Sequence, residues 1–352
     1  MTARAALPSA AGLGLGALAG WACSRIGTPI PWMLGPLFTL ALLRVGGANV
    51  ASPPGGRHIG QWIIGTALGL YFTPQVVRDV AGFWGLLAAG AAFAIALGYV
   101  TGLLLARLAG IDRTTGVFAC VPGGAAEMAV LGERFGARVD RVAAAQSLRI
   151  VIVVAIVPAA YTLLDVHGAD RYAPGIANFD VAGFALLMAA TLAGSAVAQW
   201  LRTPNAFVLG SLAVAIPLTA MEVNLSAVPT VVSNAGQCLL GTALGARFQP
   251  DFLRGAPRFV GAVGATVLAA IALSAAFGWA LARLSGLHPA TLVLGTAPGG
   301  IAEMCITAKV LQLGVPLVTA FHVTRVVALL LLTAPVYARL RDLRRRRKER
   351  SR

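Results

Sequence analysis

Hydrophobic positions in this chain come in long unbroken blocks, and charged positions fall mostly between the blocks. Uncharged runs cover Ala5–Ser24, Ile26–Leu43, His58–Val77, Ala81–Ala106 and Val142–Leu164, the last interrupted by Arg149. A second set covers Val181–Leu201, Thr203–Met221, Val223–Ala246, Phe259–Ala282 and Gly314–Ala338, the last interrupted by His322 and Arg325. A membrane-crossing helix needs about 20 predominantly apolar residues. The pattern therefore predicts an all-α polytopic membrane protein of about ten spans. Two further apolar segments, around 114–132 and 288–308, each carry a Pro-Gly-Gly and one Glu.

The two sets of blocks align. Residues 60–74, GQWIIGTALGLYFTP, recur as residues 236–250, GQCLLGTALGARFQP, with 9 of 15 positions identical at an offset of 176. PGGAAEM at Pro122–Met128 recurs as PGGIAEM at Pro298–Met304, and Arg149 and Tyr161 recur as Arg325 and Tyr337, all at 176. Thr28-Pro29-x4-Leu34-Gly35 recurs as Thr203-Pro204-x4-Leu209-Gly210. Low-complexity apolar sequence would give matches at scattered offsets, so the shared offset marks two homologous halves. The expected organisation is a first membrane repeat at 5–164, a linker at 165–180, a second membrane repeat at 181–338 and a basic tail at 339–352.

Composition and charge then set the orientation. Of the 352 residues, 58% are hydrophobic and 12% charged, about half the charged share of a soluble domain. The net charge of +15 suggests nucleic acid until it is located: 9 of the 28 basic residues lie in 339–352. A basic run after an apolar span reads first as a cytoplasmic anchor, with nucleic-acid binding as the alternative. With the tail inside, and Arg149 and Arg325 left out, the remaining basic residues number 17. If both Pro-Gly-Gly segments cross the bilayer, 7 fall inside and 10 outside. If neither crosses, 12 fall inside, Arg134, Arg138, Arg141, Arg202, Arg247, Arg254 and Arg258 among them, and 5 outside. The positive-inside rule selects the second count. Each half then has five spans plus one broken or re-entrant segment, the repeats are inverted, both termini are cytoplasmic and the 165–180 linker is extracytoplasmic. The expected location is a bacterial inner membrane. A signal peptide is an alternative reading of the first 25 residues, but the same stretch has a counterpart in the second half.

Chemistry concentrates in a few repeated positions. Glu127 and Glu303 are the acids that lie within apolar, motif-bearing sequence. A charged carboxylate at membrane depth costs at least ~2.5 kcal/mol on insertion scales and must be paired, protonated or hydrated. The structural alternative is an ion pair in each half, Glu127 with Arg149 and Glu303 with Arg325. The functional one is a proton or ion site, with the arginines as charge partners or an anion clamp. Pro122-Gly123-Gly124 and Pro298-Gly299-Gly300 should unwind the helix. Unwound backbone at membrane depth lines a cavity or is buried in protein, and a pair of broken segments in inverted halves is the sequence pointer to a transporter's site. His322 is a candidate proton relay, since histidine titrates near neutrality; the alternative is a hydrogen-bonded core residue. Gln61 with Thr66, and Gln237 with Thr242, could line a path. The glycines around them, Gly65, Gly69, Gly241 and Gly245, form GxxxG steps that read as helix packing.

The four Cys lie singly in apolar stretches and the four His are scattered, which predicts no disulfide framework, no metal site and no cofactor. The expected partners are the lipid bilayer and a small solute or ion. No nucleic-acid partner is expected, and a homo-oligomer is compatible with these features.

At PGGAAEM, PGGIAEM and the two GQ-x3-GTALG segments, the chain resembles the AbrB membrane-protein family, whose members carry this tandem duplication. The resemblance covers about residues 10–340. It implies no established substrate: members are also labelled ammonia monooxygenases or gene-expression regulators, and an unrelated soluble DNA-binding regulator shares the name. The chain also resembles, at fold level, the inverted repeats of cation/proton antiporters and bile-acid-type symporters, an analogy of fold that does not by itself fix an activity. Secondary transport, proton- or ion-coupled, is the leading expectation. A membrane-embedded regulator is the alternative. A monooxygenase would need metal ligands that the scattered His and acidic residues do not group.

Overall fold

A computed structural model describes residues 3–168, 172–176, 178–248 and 256–350. Within these residues the chain is helical, with no strand. Parts of the expected linker (169–171, 177), residues 249–255 with Arg254 among them, and the last two residues of the tail lie outside the described residues. The first half runs α1 (Ala3–Arg25), α2 (Pro31–Val45), α3 (Gly56–Gly69), α4 (Pro74–Gly82), α5 (Trp84–Ala109), α6 (Arg113–Cys120), α7 (Ala125–Arg134) and α8 (Val139–Leu163). The second runs α9 (Val181–Trp200), α10 (Ala206–Ala220), α11 (Thr230–Gly245), α12 (Pro257–Ser285), α13 (Pro289–Thr296), α14 (Ile301–Val310) and α15 (Val315–Arg350). The succession of short, short and long helices around the Pro-Gly-Gly breaks recurs 176 residues on: α6 begins at 113 and α13 at 289, α7 at 125 and α14 at 301.

Five helices, α5, α8, α9, α12 and the first 25 residues of α15, are long and apolar enough to cross a membrane. The expected spans at 26–43, 58–77, 203–221 and 223–246 are shorter as helices, at 15, 14, 15 and 16 residues. Uncharged length measures polarity, and local chemistry decides how much of it coils. Ile30 and Asn205 take left-handed backbone at the N-caps of α2 and α10. Thr73 accepts from the Val76 amide and Pro74 follows it, starting α4 as a separate helix soon after α3 ends. Residues 223–229 precede α11 without helical structure.

The helices sort into two packed groups. In one, α2 lies against α1 and α11, α10 against α9 and α3, and α3 against α11. The GxxxG steps make these approaches close: a Cβ on Gly241 or Gly245 would strike the carbonyls of Met33 or Leu37 on α2, and one on Gly65 or Gly69 would strike Ser211 or Ala215 on α10. In the other group, α5 and α12 pack together with α6, α8, α13 and α15 around them. The repeat-related helices α5 and α12 run antiparallel. Arg258 Nε, at the start of α12, donates to the Leu108 carbonyl at the end of α5 at 3.0 Å, and Phe93 stacks on Phe277 midway at 3.9 Å between centroids. At the far end Phe83, Leu86 and Leu87 pack against Leu281 and Ala282.

Candidate functional site

Each Pro-Gly-Gly segment is the tip of a helical hairpin. Asp112 caps α6, its carboxylate accepting from the Thr115 amide at 2.7 Å, and α6 ends two residues before Pro122. After Gly124 the chain reverses into α7. The hairpin closes at its mouth, where the Arg138 amide donates to Thr115 Oγ1 at 2.9 Å. At about 1.5 Å per residue, the eight residues of α6 and ten of α7 extend roughly 12 and 15 Å, too short for a bilayer core of about 30 Å. The second hairpin, α13 and α14, repeats these lengths without a side-chain cap on α13, with Gly314 against Thr291 at its mouth.

The two mouths lie at opposite ends of the molecule and the tips converge. Around the first mouth stand Arg138, Arg258 at the end of α5, and Tyr337 Oη, which donates to Thr114 Oγ1 at 2.8 Å and marks where α15 exits towards the basic tail. Around the second mouth, Gly168 donates from its amide to the Leu311 carbonyl, and Tyr161 Oη, the counterpart of Tyr337, donates to the Ala290 carbonyl at 2.8 Å. Between the tips is a cavity of about 40 Å³, lined by Pro122, Gly123, Gly124, Gly299, Gly300, Glu303, Arg149 and Arg325 from the hairpin group and by Arg57, Gln61 and Asn205 from the other. It thus sits where the two helix groups meet. The volume suits a few waters or one small oxyanion, since about 10–15 Å³ of such space holds a water.

The arginines hold the unwound backbone. Arg149 donates to the carbonyls of Val121 at 3.1 Å and Gly123 at 3.4 Å. Arg325 donates to the carbonyls of Ala297 at 2.7 Å and Gly299. A helix that stops leaves carbonyls without partners, and each guanidinium supplies the missing donors for its own half. Both are 4% exposed, and the Nε of each is buried without a hydrogen bond. Three residues before each arginine the halves differ. Gln146 Nε2 donates to the carbonyls of Phe118 and Val121 at 2.9 and 2.8 Å. His322 Nε2 meets only the corresponding Leu294 carbonyl, at 3.2 Å, and its Nδ1 is buried without a partner.

The alternative ion pairs do not form: neither Glu127 nor Glu303 approaches an Arg within 4.0 Å among the described residues. Instead both carboxylates fold back over the first turn of their own helices. A Cβ on Gly124 would strike the Glu127 carboxylate, and one on Gly300 the Glu303 carboxylate. Gly124 and Gly300 are N-caps without a side-chain cap, and the Glu three residues on is the anion at the positive end of the helix. Glu303 is buried and lines the cavity, whereas Glu127 is half-buried and does not.

The remaining sequence-predicted residues divide. Gln61 lines the cavity and its Nε2 is 3.5 Å from Asn205 Oδ1. Gln237, Thr66 and Thr242 are buried away from it. Thr66 Oγ1 donates to Thr191 Oγ1 at 2.9 Å, joining α3 to α9, and Thr242 packs against Gly16. Arg57 and Asn205 escaped the sequence reading. Arg57 passes for a flanking charge, and the one signal for Asn205 is an Asn directly after Thr-Pro, suited to its left-handed backbone at φ 48°. Among the described residues no three His, Cys, Asp or Glu side chains group as a metal site.

Comparison with known proteins agrees with the motifs. The sequence model of the family described as "Transition state regulatory protein AbrB" matches residues 32–341. A Bacillus subtilis (strain 168) protein named "Uncharacterized protein YhjN" is 27% identical over an alignment covering 96% of this chain and 94% of that one. An Escherichia coli (strain K12) protein named "Putative regulator AbrB" is 24% identical, with 88% and 90% covered.

Proposed function

The chain belongs to the AbrB family, and on that premise we propose that it is a secondary transporter of a bacterial inner membrane, carrying a small solute with proton or ion coupling. One observation carries the reading: two broken hairpins, with mouths at opposite ends of the molecule, bring unwound tips together on one cavity with Arg149, Arg325 and Glu303 in its wall. Discontinuous helices meeting at the interface of inverted repeats are how transporters build a midplane site. The antiparallel packing of α5 on α12 and the exit of α15 beside Thr114 support inverted halves with the tail, Arg138, Arg141 and Arg258 on the cytoplasmic side. In this reading Glu303 and its counterpart Glu127 are the coupling groups, Arg149 and Arg325 hold the hairpins and face the substrate, and His322 is a proton relay beside Arg325.

The description of the family and the name of the Escherichia coli relative favour a second reading, a membrane-embedded regulator of gene expression. Proteoliposome uptake separates the two. Transport predicts saturable uptake of at least one class among labelled organic acids, amino acids and alkali cations, above empty liposomes and lost in Glu303→Gln. No uptake across that panel by folded protein, with sequence-selective DNA binding by the purified chain, would establish the regulator instead.

A further inference from the structure

We infer that the cavity between the hairpin tips binds a small oxyanion, and that the substrate class is carboxylate-bearing. The inference rests on the transport reading only for the word substrate; the binding claim stands on the site itself. The first observation is charge. Arg57, Arg149 and Arg325 line the cavity against one lining carboxylate, Glu303. Arg247 lies nearby, close enough to Arg57 and Glu303 to interact with both. A cation entering would meet three guanidinium groups, and a neutral solute would leave their excess charge uncompensated.

The second observation is the state of the two central arginines. The Nη atoms of each are used on the carbonyls of its own hairpin. The Nε of each is buried, in a side chain 4% exposed, with no acceptor. An arginine presents Nε–H and the adjacent Nη–H as a planar fork matched to a carboxylate. Buried donors without acceptors are rare, and each such group calls for an explanation. Both side chains line the cavity, so a carboxylate bound there meets the charge of two guanidinium groups whose hydrogen-bonding capacity is not filled by the protein.

The third observation is the backbone. The ten-residue helices α7 and α14 both begin at the cavity, from Gly124 and Gly300, and neither has a side-chain cap at its N-cap. First-turn amides have no partner within the helix and favour an anion. Glu127 and Glu303 already lie over these two turns, and of the two only Glu303 lines the cavity. The solute's carboxylate therefore competes with the Glu303 carboxylate for the same positive end, a direct physical route for exchange between proton and anion at one place. At about 40 Å³ the cavity admits the carboxylate head.

The test uses the full chain in detergent. Melting temperature is followed against sodium formate, acetate, malonate and succinate, with sodium chloride, choline chloride and betaine at matched ionic strength. The proposal expects a saturable rise with at least one carboxylate over chloride. It expects Arg149→Gln and Arg325→Gln to weaken that apparent affinity by roughly ten- to a hundredfold, the loss of a hydrogen bond to a charged group. Arg149→Lys keeps the charge without the fork and should weaken it by a smaller factor. If a Gln variant does not fold, the Lys variant and the wild-type salt series decide. Rises that follow sodium, choline or betaine regardless of anion, no carboxylate effect in the wild type, or equal affinity in the Arg variants would overturn the proposal. Uptake of a cation or neutral solute without carboxylate binding would sink the anion site and leave transport standing. Carboxylate binding without uptake would do the reverse.

Discussion

The two hairpins are built on one plan and dressed differently. Both use an arginine from the following helix to satisfy the carbonyls of the break, and both fold a Glu back over a glycine N-cap. What they share is what a helix broken in apolar surroundings requires, because orphan backbone groups there cost several kcal/mol each. What they do not share follows no such requirement. The first half has Gln146 satisfying two carbonyls and a half-buried Glu127 outside the cavity; the second has His322 with a buried, unpartnered Nδ1 and a buried Glu303 in the wall. The comparison teaches that the arginines are common scaffold and that titratable chemistry is gathered in the second half.

Removing a scaffold arginine should have the largest effect. Arg149→Gln and Arg325→Gln each lose two charge-assisted bonds to backbone carbonyls, and unfolding stability in detergent should fall by about 3 kcal/mol in both. Similar losses would confirm the shared role; a small loss in one would break the comparison. Next comes the packing of the other helix group. Gly241→Leu places a side chain against the Met33 carbonyl and should cost about 1–3 kcal/mol, read as a lower Tm without a change in the ligand-induced shift.

The carboxylates should separate the halves by function and not by stability. Since neither Glu forms an ion pair with an arginine within 4.0 Å, Glu303→Gln and Glu127→Gln should each change stability by about 1 kcal/mol or less, the scale of one helix-terminus charge. Glu303→Gln should suppress uptake more strongly than Glu127→Gln. Loss of fold in either single variant would restore the ion-pair reading. The smallest expected effect on stability is His322→Gln. The amide can donate to both Leu294 and Ala297 carbonyls, as Gln146 does in the first half, so Tm should move by about 1 kcal/mol equivalent or less.

Much of this architecture is legible in the sequence. The 176-residue offset located both breaks, both arginines and both tyrosines, because a repeated break needs the same residues twice. The partner of each arginine was not legible. Charge patterning pairs Arg149 with Glu127 because both are charged, whereas the acceptors it uses, the carbonyls of Val121 and Gly123, exist only once the helix has unwound. Arg57 and Asn205 were hidden for a related reason: each sits at the end of an apolar run, and only tertiary packing carries those ends to the cavity. The helices around 26–43 and 223–246 fell short because apolar composition does not register a left-handed Ile30 or an unwound 223–229 stretch.

The central claim is that the two hairpins enter from opposite sides of the membrane, and side-specific labelling tests it directly. Arg138 and Gln312 are exposed residues at the first and second mouths. With the four native Cys replaced, Arg138→Cys and Gln312→Cys are each exposed to a membrane-impermeant maleimide in intact cells and in inverted vesicles. The account predicts that Gln312→Cys labels in cells and Arg138→Cys in inverted vesicles. Labelling of both positions from the same side would contradict it.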